Sequence, residues 1–416
     1  MYHLWKKIFL TSGTRIYSLL IGFITLSFTA HWLGPEGRGL IASLTTWVNM
    51  FCTFGDLSLG QVAIHLASKN RNQNWLPSMS GSLMLIMAII TCLSWLIILI
   101  LFLMSQGKIF NDLTMDLLFI AFLLLPLLIW DNYGRSLFMA LDKIEIYNKA
   151  TIYGKSAGLL FLITAWLLQY GVKGVLVSII ISQIVVTIFG LKHLYKIAQI
   201  KIYASIQTIK SLIQGGAKLH LNTIGSFMIM YTDILIISHY HGVIVTGYFQ
   251  LAIQLISIML IIPSSASMIL YGQISQKGPD IAWEFQRKIL LYITLIMIVI
   301  AIVAKFTSEF LILIVAGDQF LPSVPIFNLM LLALIGMTFS NVMASQWIGR
   351  GLFIFVSTMT TISGLGNLAL GLFLIPQYGM IGAVWGTLIT YTVSIIINGI
   401  MAIYCENQYR KMCIKA

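Results

Sequence analysis

The sequence has little charge and few of the residues that stabilise small secreted or metal-binding domains. Only 9% of its 416 residues are charged, against about 25% in soluble proteins, whereas 59% are hydrophobic. Its four cysteines have neither disulfide nor zinc-site spacing, and no Walker A motif is present. These absences exclude a water-soluble globular protein, a disordered chain, a disulfide scaffold and a protein that hydrolyses nucleotide by itself.

Long apolar runs indicate an all-α polytopic membrane protein. A transmembrane helix needs about 20 apolar residues, and the alternating pattern of membrane β-strands is absent. Glycine, proline and charged residues divide the chain into twelve runs, which leave no room for a soluble catalytic domain, so we do not expect an enzyme. The predicted spans are residues 9–33, 40–67, 79–104, 115–140, 148–170, 172–194, 211–240, 243–274, 286–304, 322–348, 352–375 and 378–404.

The positive charge predicts the orientation of the chain. The formal net charge is +12, and most lysines and arginines fall on the side that both termini share, which the positive-inside rule makes cytoplasmic. Charge spread along the membrane edges favours contact with anionic lipids over nucleic acid. The predicted organisation is a six-helix bundle (1–194), a cytoplasmic linker or interfacial helix (195–210), a second bundle (211–404) and a cytoplasmic tail (405–416).

Matching motifs indicate that the two halves are repeats. His31-Trp-Leu-Gly34 corresponds to His239-Tyr-His-Gly242, and the motif Gln-Tyr-Gly-x-x-Gly at 169–174 recurs at 377–382, both 208 residues later. Gly13-x-Arg15 with Gly22 similarly matches Gly216-x-Lys218 with Gly225. Because six helices return the chain to its starting side, the halves are predicted to be parallel, related by a pseudo-two-fold axis along the membrane normal. This architecture is typical of alternating-access transporters.

Several ionisable residues fall inside the predicted spans, where each costs about 2.5 to 3.5 kcal/mol. Most lie in the cytoplasmic third of the membrane, which predicts a polar cavity that is open to the cytoplasm and binds an anion such as phosphate or pyrophosphate. The predicted ligand-binding cations are Arg15, Lys218, Arg135 and Lys155, and the intramembrane acids are Asp56, Asp131 and Asp233.

Structural roles are open for some of these charges. Asp131 and Arg135 have the i, i+4 spacing of a helical ion pair, and Lys155 is close enough to the interface to snorkel. Asp233 has no local basic partner, so it either exchanges a proton during transport or bonds to a polar neighbour on another helix. Asp56 lies between Gly55 and Gly60, where helix 2 has either a hinge or a site.

The chain resembles a known family over essentially its whole length. The motifs are HWLGPEGRG at the end of span 1, FGDLSLGQVAI in span 2, the segment around Asp233 followed by G-x-x-x-x-GYFQLA, and QYGMIGAVWGTLIT at the start of span 12. These are similar to the polysaccharide transporters of the multidrug/oligosaccharidyl-lipid/polysaccharide exporter superfamily, and within it to O-antigen flippases of the Wzx type.

This resemblance implies a flippase that moves an undecaprenyl-pyrophosphate-linked oligosaccharide from the cytoplasmic to the periplasmic leaflet of a bacterial inner membrane. It implies alternating access coupled to protons or sodium ions, no other cofactor, and contact with a polysaccharide polymerase and a chain-length regulator. The anion-binding role falls to Arg15 and Lys218, then to Arg135 and Lys155. Ion coupling or gating falls to Asp233, Asp56 and Asp131.

Other functions are open at this point. A lipid II-like flippase is one, although that family typically has fourteen spans. A multidrug or organic-cation exporter of the same superfamily would need an acid-lined cavity. A membrane-embedded sugar polymerase or ligase would need a large periplasmic loop, whereas the outer connections here are short.

Overall fold

The computed structural model describes residues 2–69, 75–110, 112–198 and 202–415, with side chains from Gly13 onward except Lys218, Ser275 and 410–415. Within these ranges the chain forms α-helices and one 3₁₀-helix and no strand. The helices are α1 (Tyr2–Asp56), α2 (Leu59–Lys69), α3 (Leu76–Ser105), α4 (Met115–Phe122), α5 (Leu124–Ala140), α6 (Ile144–Leu167), α7 (Gly171–Ala198), α8 (Ile206–Met259), α9 (Ile261–Lys277), α10 (Trp283–Ala316), the 3₁₀-helix (Asp318–Ser323), α11 (Val324–Gly349) and α12 (Phe353–Lys415).

Nine helical segments of the described chain are long and apolar enough to cross a membrane. Three of them, Gly13–Lys69, Leu219–Ile274 and Phe353–Tyr409, have 57, 56 and 57 residues, more than twice the roughly 20 that a bilayer requires. Each contains a glycine with a non-helical backbone, namely Gly34, Gly242 or Gly379. Each therefore holds two spans, and the predicted number of twelve is confirmed.

The glycines that mark the sequence repeat share one backbone conformation. Gly34 and Gly242 have φ of 64° and 80°, and Gly171 and Gly379 have φ of 56° and 59°. Residues with a Cβ rarely adopt this left-handed conformation, so glycine is required where the helix stops. The two halves thus break their helices at matching positions. The predicted all-α fold of two six-helix halves is confirmed.

The chain divides into two compact units, each with its own core. The first comprises Met1–Thr223 with Gly242–Ile244, and the second comprises Ile224–His241 with Val245–Ala416. Fully buried side chains such as Tyr133 and Phe138 pack in the first unit, and Phe249, Phe320 and Phe327 pack in the second. The beginning of α8 belongs to the first unit, where Gly216 lies directly against the backbone of Leu57.

The predicted linker at 195–210 consists, where it is described, of two helix ends and a short extended segment. Residues 195–198 end α7, residues 206–210 begin α8, and residues 202–205 are not helical. The extended segment follows the start of α3, where Tyr203 donates its backbone N–H to Pro77 O at 3.3 Å and Ser205 donates its own to Ser82 Oγ at 3.1 Å. Gly81 makes this close approach possible, because a Cβ there would overlap the Tyr203 carbonyl.

Candidate functional site

Four of the predicted charged residues form a cluster in the first unit. Asp56 ends α1, Asp131 and Arg135 lie on α5, and Lys155 lies on α6. Asn132 joins two of them, because it donates its Nδ2–H to Asp56 Oδ2 at 3.3 Å and accepts Arg135 Nη2–H on its Oδ1 at 3.1 Å. A charged network thus links the end of α1 to α5.

Asp131 bonds to a tyrosine and does not form the i, i+4 pair that its spacing allowed. The hydroxyl of Tyr147, on α6, donates to both Asp131 carboxylate oxygens at 3.0 Å, while Arg135 is engaged with Asn132. Arg135 and Lys155 are nevertheless close enough to interact electrostatically with Asp131. The cluster therefore contains two carboxylates and two cations, with Arg135 in range of both carboxylates and Lys155 in range of Asp131.

The cluster has unused capacity for a ligand. Arg135 is exposed, and of the five N–H donors of a guanidinium the structure assigns one, to Asn132. Asp56 Oδ1 is buried, and within the described chain it lacks a hydrogen-bond partner. An anion that accepts from Arg135 and Lys155 would meet charge-assisted donors, which give the strongest hydrogen bonds in proteins.

The structure places Arg15 two residues from a contact between α1 and the middle of α6, and it leaves Lys218 untested. Arg15 lies on an exposed face of α1. Two residues further on, Tyr17 shares a 2.7 Å hydrogen bond with Ser156, the neighbour of Lys155 on α6. The side chain of Lys218 lies outside the described residues, so its predicted role stays a prediction.

A helix break lies beside Asp56, in the segment between Gly55 and Gly60 where the sequence allowed a hinge. Leu57 and Ser58 have φ of 49° and 55°, a conformation that costs about 1 to 2 kcal/mol per residue for side chains with a Cβ. Tertiary bonds hold the break, because Tyr133 OH donates to Asp56 O at 3.1 Å and Ser58 Oγ bonds to Thr223 Oγ1 at 2.9 Å.

The two glycines that flank the break have a helical backbone and lie at close packing contacts. A Cβ on Gly55 would overlap Ile90, and one on Gly60 would lie 2.5 Å from Ser136 Oγ. These glycines therefore allow close packing and do not themselves form the break. The break itself comes from Leu57 and Ser58, so Asp56 lies both at a break in the helix and in the charged cluster.

Asp233 is buried in the second unit among neutral partners. Its side chain on α8 is only 6% exposed. Asn367 on α12 donates its Nδ2–H to Asp233 Oδ1 at 3.2 Å, Thr387 also bonds to this carboxylate, and Thr390 donates to Asn367 Oδ1 at 3.4 Å. Asp233 is thus bonded to polar neighbours on another helix, as one of the two predictions for it required.

Sequence reasoning missed the neutral members of both networks. One sequence feature could have identified these residues: each has an amide or hydroxyl group in an apolar span, and such groups need hydrogen-bond partners inside a membrane. That feature does not identify the partner. The missed residues are Asn132, Tyr147, Asn367, Thr387 and Thr390.

Comparison with known proteins identifies the family of this chain. Residues 4–276 match the model of a family described as polysaccharide biosynthesis protein. The chain belongs to this family. A Shigella flexneri protein described as a candidate O-antigen transporter is 24% identical over 95% of this chain and 94% of its own length. The predicted resemblance to the polysaccharide transporters is confirmed.

Solved structures of membrane transporters have the same fold. A lipid II flippase, MurJ, in an inward closed conformation superposes with a TM-score of 0.80 at 14% identity, over 95% of this chain and 87% of its own. An inward-facing multidrug resistance transporter of the MATE family and the MOP superfamily gives 0.72 at 12% identity, over 95% and 96%. This member of the polysaccharide biosynthesis family therefore has the fold of the MOP exporters.

Proposed function

We propose that this protein is a flippase for undecaprenyl-pyrophosphate-linked oligosaccharide, which it moves from the cytoplasmic to the periplasmic leaflet of a bacterial inner membrane. The family, the likeness to the Shigella flexneri protein and the fold of a lipid II flippase support transport over catalysis. The observation that carries the choice of cargo is the cluster of Asp56, Asp131, Arg135 and Lys155. Both termini are cytoplasmic in this proposal, and the positively charged edges contact anionic lipids.

The cations of the cluster bind the pyrophosphate. In the absence of cargo, the carboxylates of Asp56 and Asp131 lie near Arg135 and offset its charge. A pyrophosphate brings more negative charge and more acceptor oxygens than either carboxylate, so it competes for the same donors. Arg15 and Lys218, which occupy matching positions of the repeat, are proposed to add to this site from about two helical turns into spans 1 and 7.

Asp233 is proposed to bind the coupling ion. A carboxylate whose partners are Asn367 and Thr387 has no protein cation beside it to neutralise its charge in the part of the chain that the structure describes. A proton or a sodium ion supplies that neutralisation, and its loss and return drive the alternation between states. Asp56 and Asp131 are proposed to act in gating, since Asp56 lies at a break in the helix.

The proposal is tested by complementation in a strain that lacks its own O-antigen flippase. Replacing Arg135 and Lys155 together by Ala removes two charge-assisted contacts, each worth about 1.5 to 3 kcal/mol, so we expect surface polysaccharide to fall at least about tenfold while the protein still inserts. Arg287→Ala is the matched control, because Arg287 pairs with Glu406 in the second unit, outside the cluster. Normal surface polymer from the double variant, and from a quadruple variant that adds Arg15→Ala and Lys218→Ala, would contradict the cargo assignment.

Assays in cells also distinguish two alternative functions. A lipid II-like flippase would instead restore growth after loss of the host's lipid II flippase, and an organic-cation exporter would raise resistance to cationic dyes. The cations Arg135 and Lys155 lie beside Asp131 and would repel an organic cation, which supports the choice of an anionic cargo. Assembly with a polysaccharide polymerase and a chain-length regulator is part of the proposal and is tested by cross-linking in the same cells.

A further inference from the structure

The second unit contains a cavity of about 180 Å³ that none of the proposed charge sites uses. It lies between α8, the second half of α11 and two stretches of α12, near the α11–α12 turn that the charge distribution predicts to be cytoplasmic. The lining residues include Ala344, Trp347, Phe355, Ser363, Tyr391 and Asn398.

The wall of this cavity combines aromatic rings with hydroxyl and amide groups and has no charged residue. Trp347 and Phe355 meet edge to face with ring centroids 5.6 Å apart, and Tyr391 adds a third ring. Uncharged walls offer nothing to balance a phosphate or a carboxylate. An acyl chain cannot bond to the hydroxyl groups of the wall, whereas a ligand with its own hydroxyls can.

Hydrogen bonds fix the cavity wall in place. Trp347 Nε1–H donates to Asn398 Oδ1 at 2.5 Å, Asn398 donates to the Ser394 carbonyl at 2.7 Å, and Ser394 shares a 3.0 Å bond with Ser340. Side chains that are held in this way lose little freedom when a ligand binds.

Two hydroxyls in the wall are available to a ligand. Tyr391 OH and Ser363 Oγ make no side-chain hydrogen bond within the part of the chain that the structure describes. Each can donate one hydrogen bond and accept others. The cavity thus offers a rigid aromatic surface together with free hydroxyl groups.

We propose that this cavity is a subsite for one uncharged sugar ring, which, resting on the proposed function, belongs to the oligosaccharide of the cargo. The C–H face of a pyranose packs against the electron-rich faces of aromatic rings, and its hydroxyls bond to groups such as Tyr391 OH. The cavity of about 180 Å³ has room for several water molecules and accommodates one such ring.

The subsite touches the network that holds Asp233. Thr390 lines the cavity and donates to Asn367, whose amide holds the Asp233 carboxylate. A sugar that bonds to Thr390 competes with Asn367 for this hydroxyl. Occupancy of the cavity is thereby coupled to the proposed ion site.

Saturation-transfer NMR on the full-length protein in nanodiscs tests the subsite without any lipid-linked cargo. The probes are methyl glycosides of glucose, galactose and N-acetylglucosamine, with glucuronate and inorganic pyrophosphate as charged competitors. We expect at least one neutral glycoside to bind and neither charged compound to displace it. Tyr391→Phe, which removes one hydroxyl, should weaken binding about threefold to tenfold.

A substitution that fills the cavity tests directly whether the glycoside binds there. Ala344→Phe should abolish glycoside binding, whereas Ala369→Phe, at an exposed position of α12 outside the cavity, should not. Binding that survives Ala344→Phe, or that pyrophosphate displaces, would overturn the subsite. Lost glycoside binding with normal surface polysaccharide from Ala344→Phe would overturn its assignment to the cargo. Normal polymer from the Arg135 and Lys155 variants would instead contradict the flippase proposal and leave the glycoside result standing.

Discussion

Asn132 and Asn367 have the same role in different units. Each amide bonds to a carboxylate inside the membrane, Asp56 or Asp233, and at the same time to a second polar group, Arg135 or Thr390. An amide can do this because it donates and accepts through separate atoms. Neutral residues thereby provide partners for charges that the sequence shows as isolated.

The Asn367 amide is expected to stabilise the second unit. Asn367→Leu leaves the buried Asp233 carboxylate without one of its donors, which costs about 1 to 3 kcal/mol. We expect a lower free energy of unfolding in detergent, measured by denaturant titration. Asn341→Leu is the control, since within the described chain the Asn341 side chain bonds only to Ser264, at an exposed position; equal losses from both variants would show that the buried bond has no special weight.

Asp233→Asn is expected to uncouple transport from the ion gradient. The substitution keeps the shape of the side chain and removes the charge that a proton or sodium ion would neutralise. In proteoliposomes, cargo movement should no longer respond to an imposed gradient, while movement down the cargo's own gradient continues. Asp318→Asn, at an exposed residue of the 3₁₀-helix, should behave like the wild type. A gradient response in Asp233→Asn like that of the wild type would remove this residue from the mechanism.

At the scale of helices, the repeat provides a matched test of close packing. Gly225 crosses α12 so tightly that a Cβ would lie 2.8 Å from the Thr360 backbone, whereas its repeat counterpart Gly22 has nothing within 4 Å. We expect Gly225→Ala to destabilise the protein by about 1 to 3 kcal/mol, as overpacking does. Gly22→Ala should be neutral or stabilising by up to about 1 kcal/mol. Thermal unfolding of the two variants measures the difference, and similar losses would contradict the crossing.

The elements that could be predicted from sequence are those that depend on local patterns. Apolar runs determine the spans, and Gly34, Gly171, Gly242 and Gly379 mark helix breaks because only glycine takes their backbone conformation at little cost. The partner of Asp233 is 134 residues away. No local pattern encodes such a pairing.

The residues that form the break, Leu57 and Ser58, could also not be predicted from the sequence. Neither residue favours a positive φ, and the break is held by Tyr133 and Thr223, which lie far along the chain. The glycines nearby indicated the segment but do not themselves form the break. The charged cluster was similarly predictable in its members and unpredictable in its bonds, since Tyr147 took the place expected for Arg135.

For the whole molecule, the orientation of the chain is open to a direct test. We replace the four native cysteines and introduce one at Gln319 or one at Lys277, both exposed. In intact cells with a permeabilised outer membrane, a membrane-impermeant maleimide should label Gln319→Cys and spare Lys277→Cys until the inner membrane is opened. The reverse pattern would place both termini in the periplasm.

The single-residue breaks at Gly34, Gly242 and Gly379 have a consequence for how the protein is made. Each joins two long helices with no loop between them. The first helix of a pair therefore cannot take its final position in the bilayer while the second helix is still in the ribosome. We expect the translocon to release these pairs as hairpins. A chain cut between the members of a pair would leave a helix that has no neighbour to fix its depth.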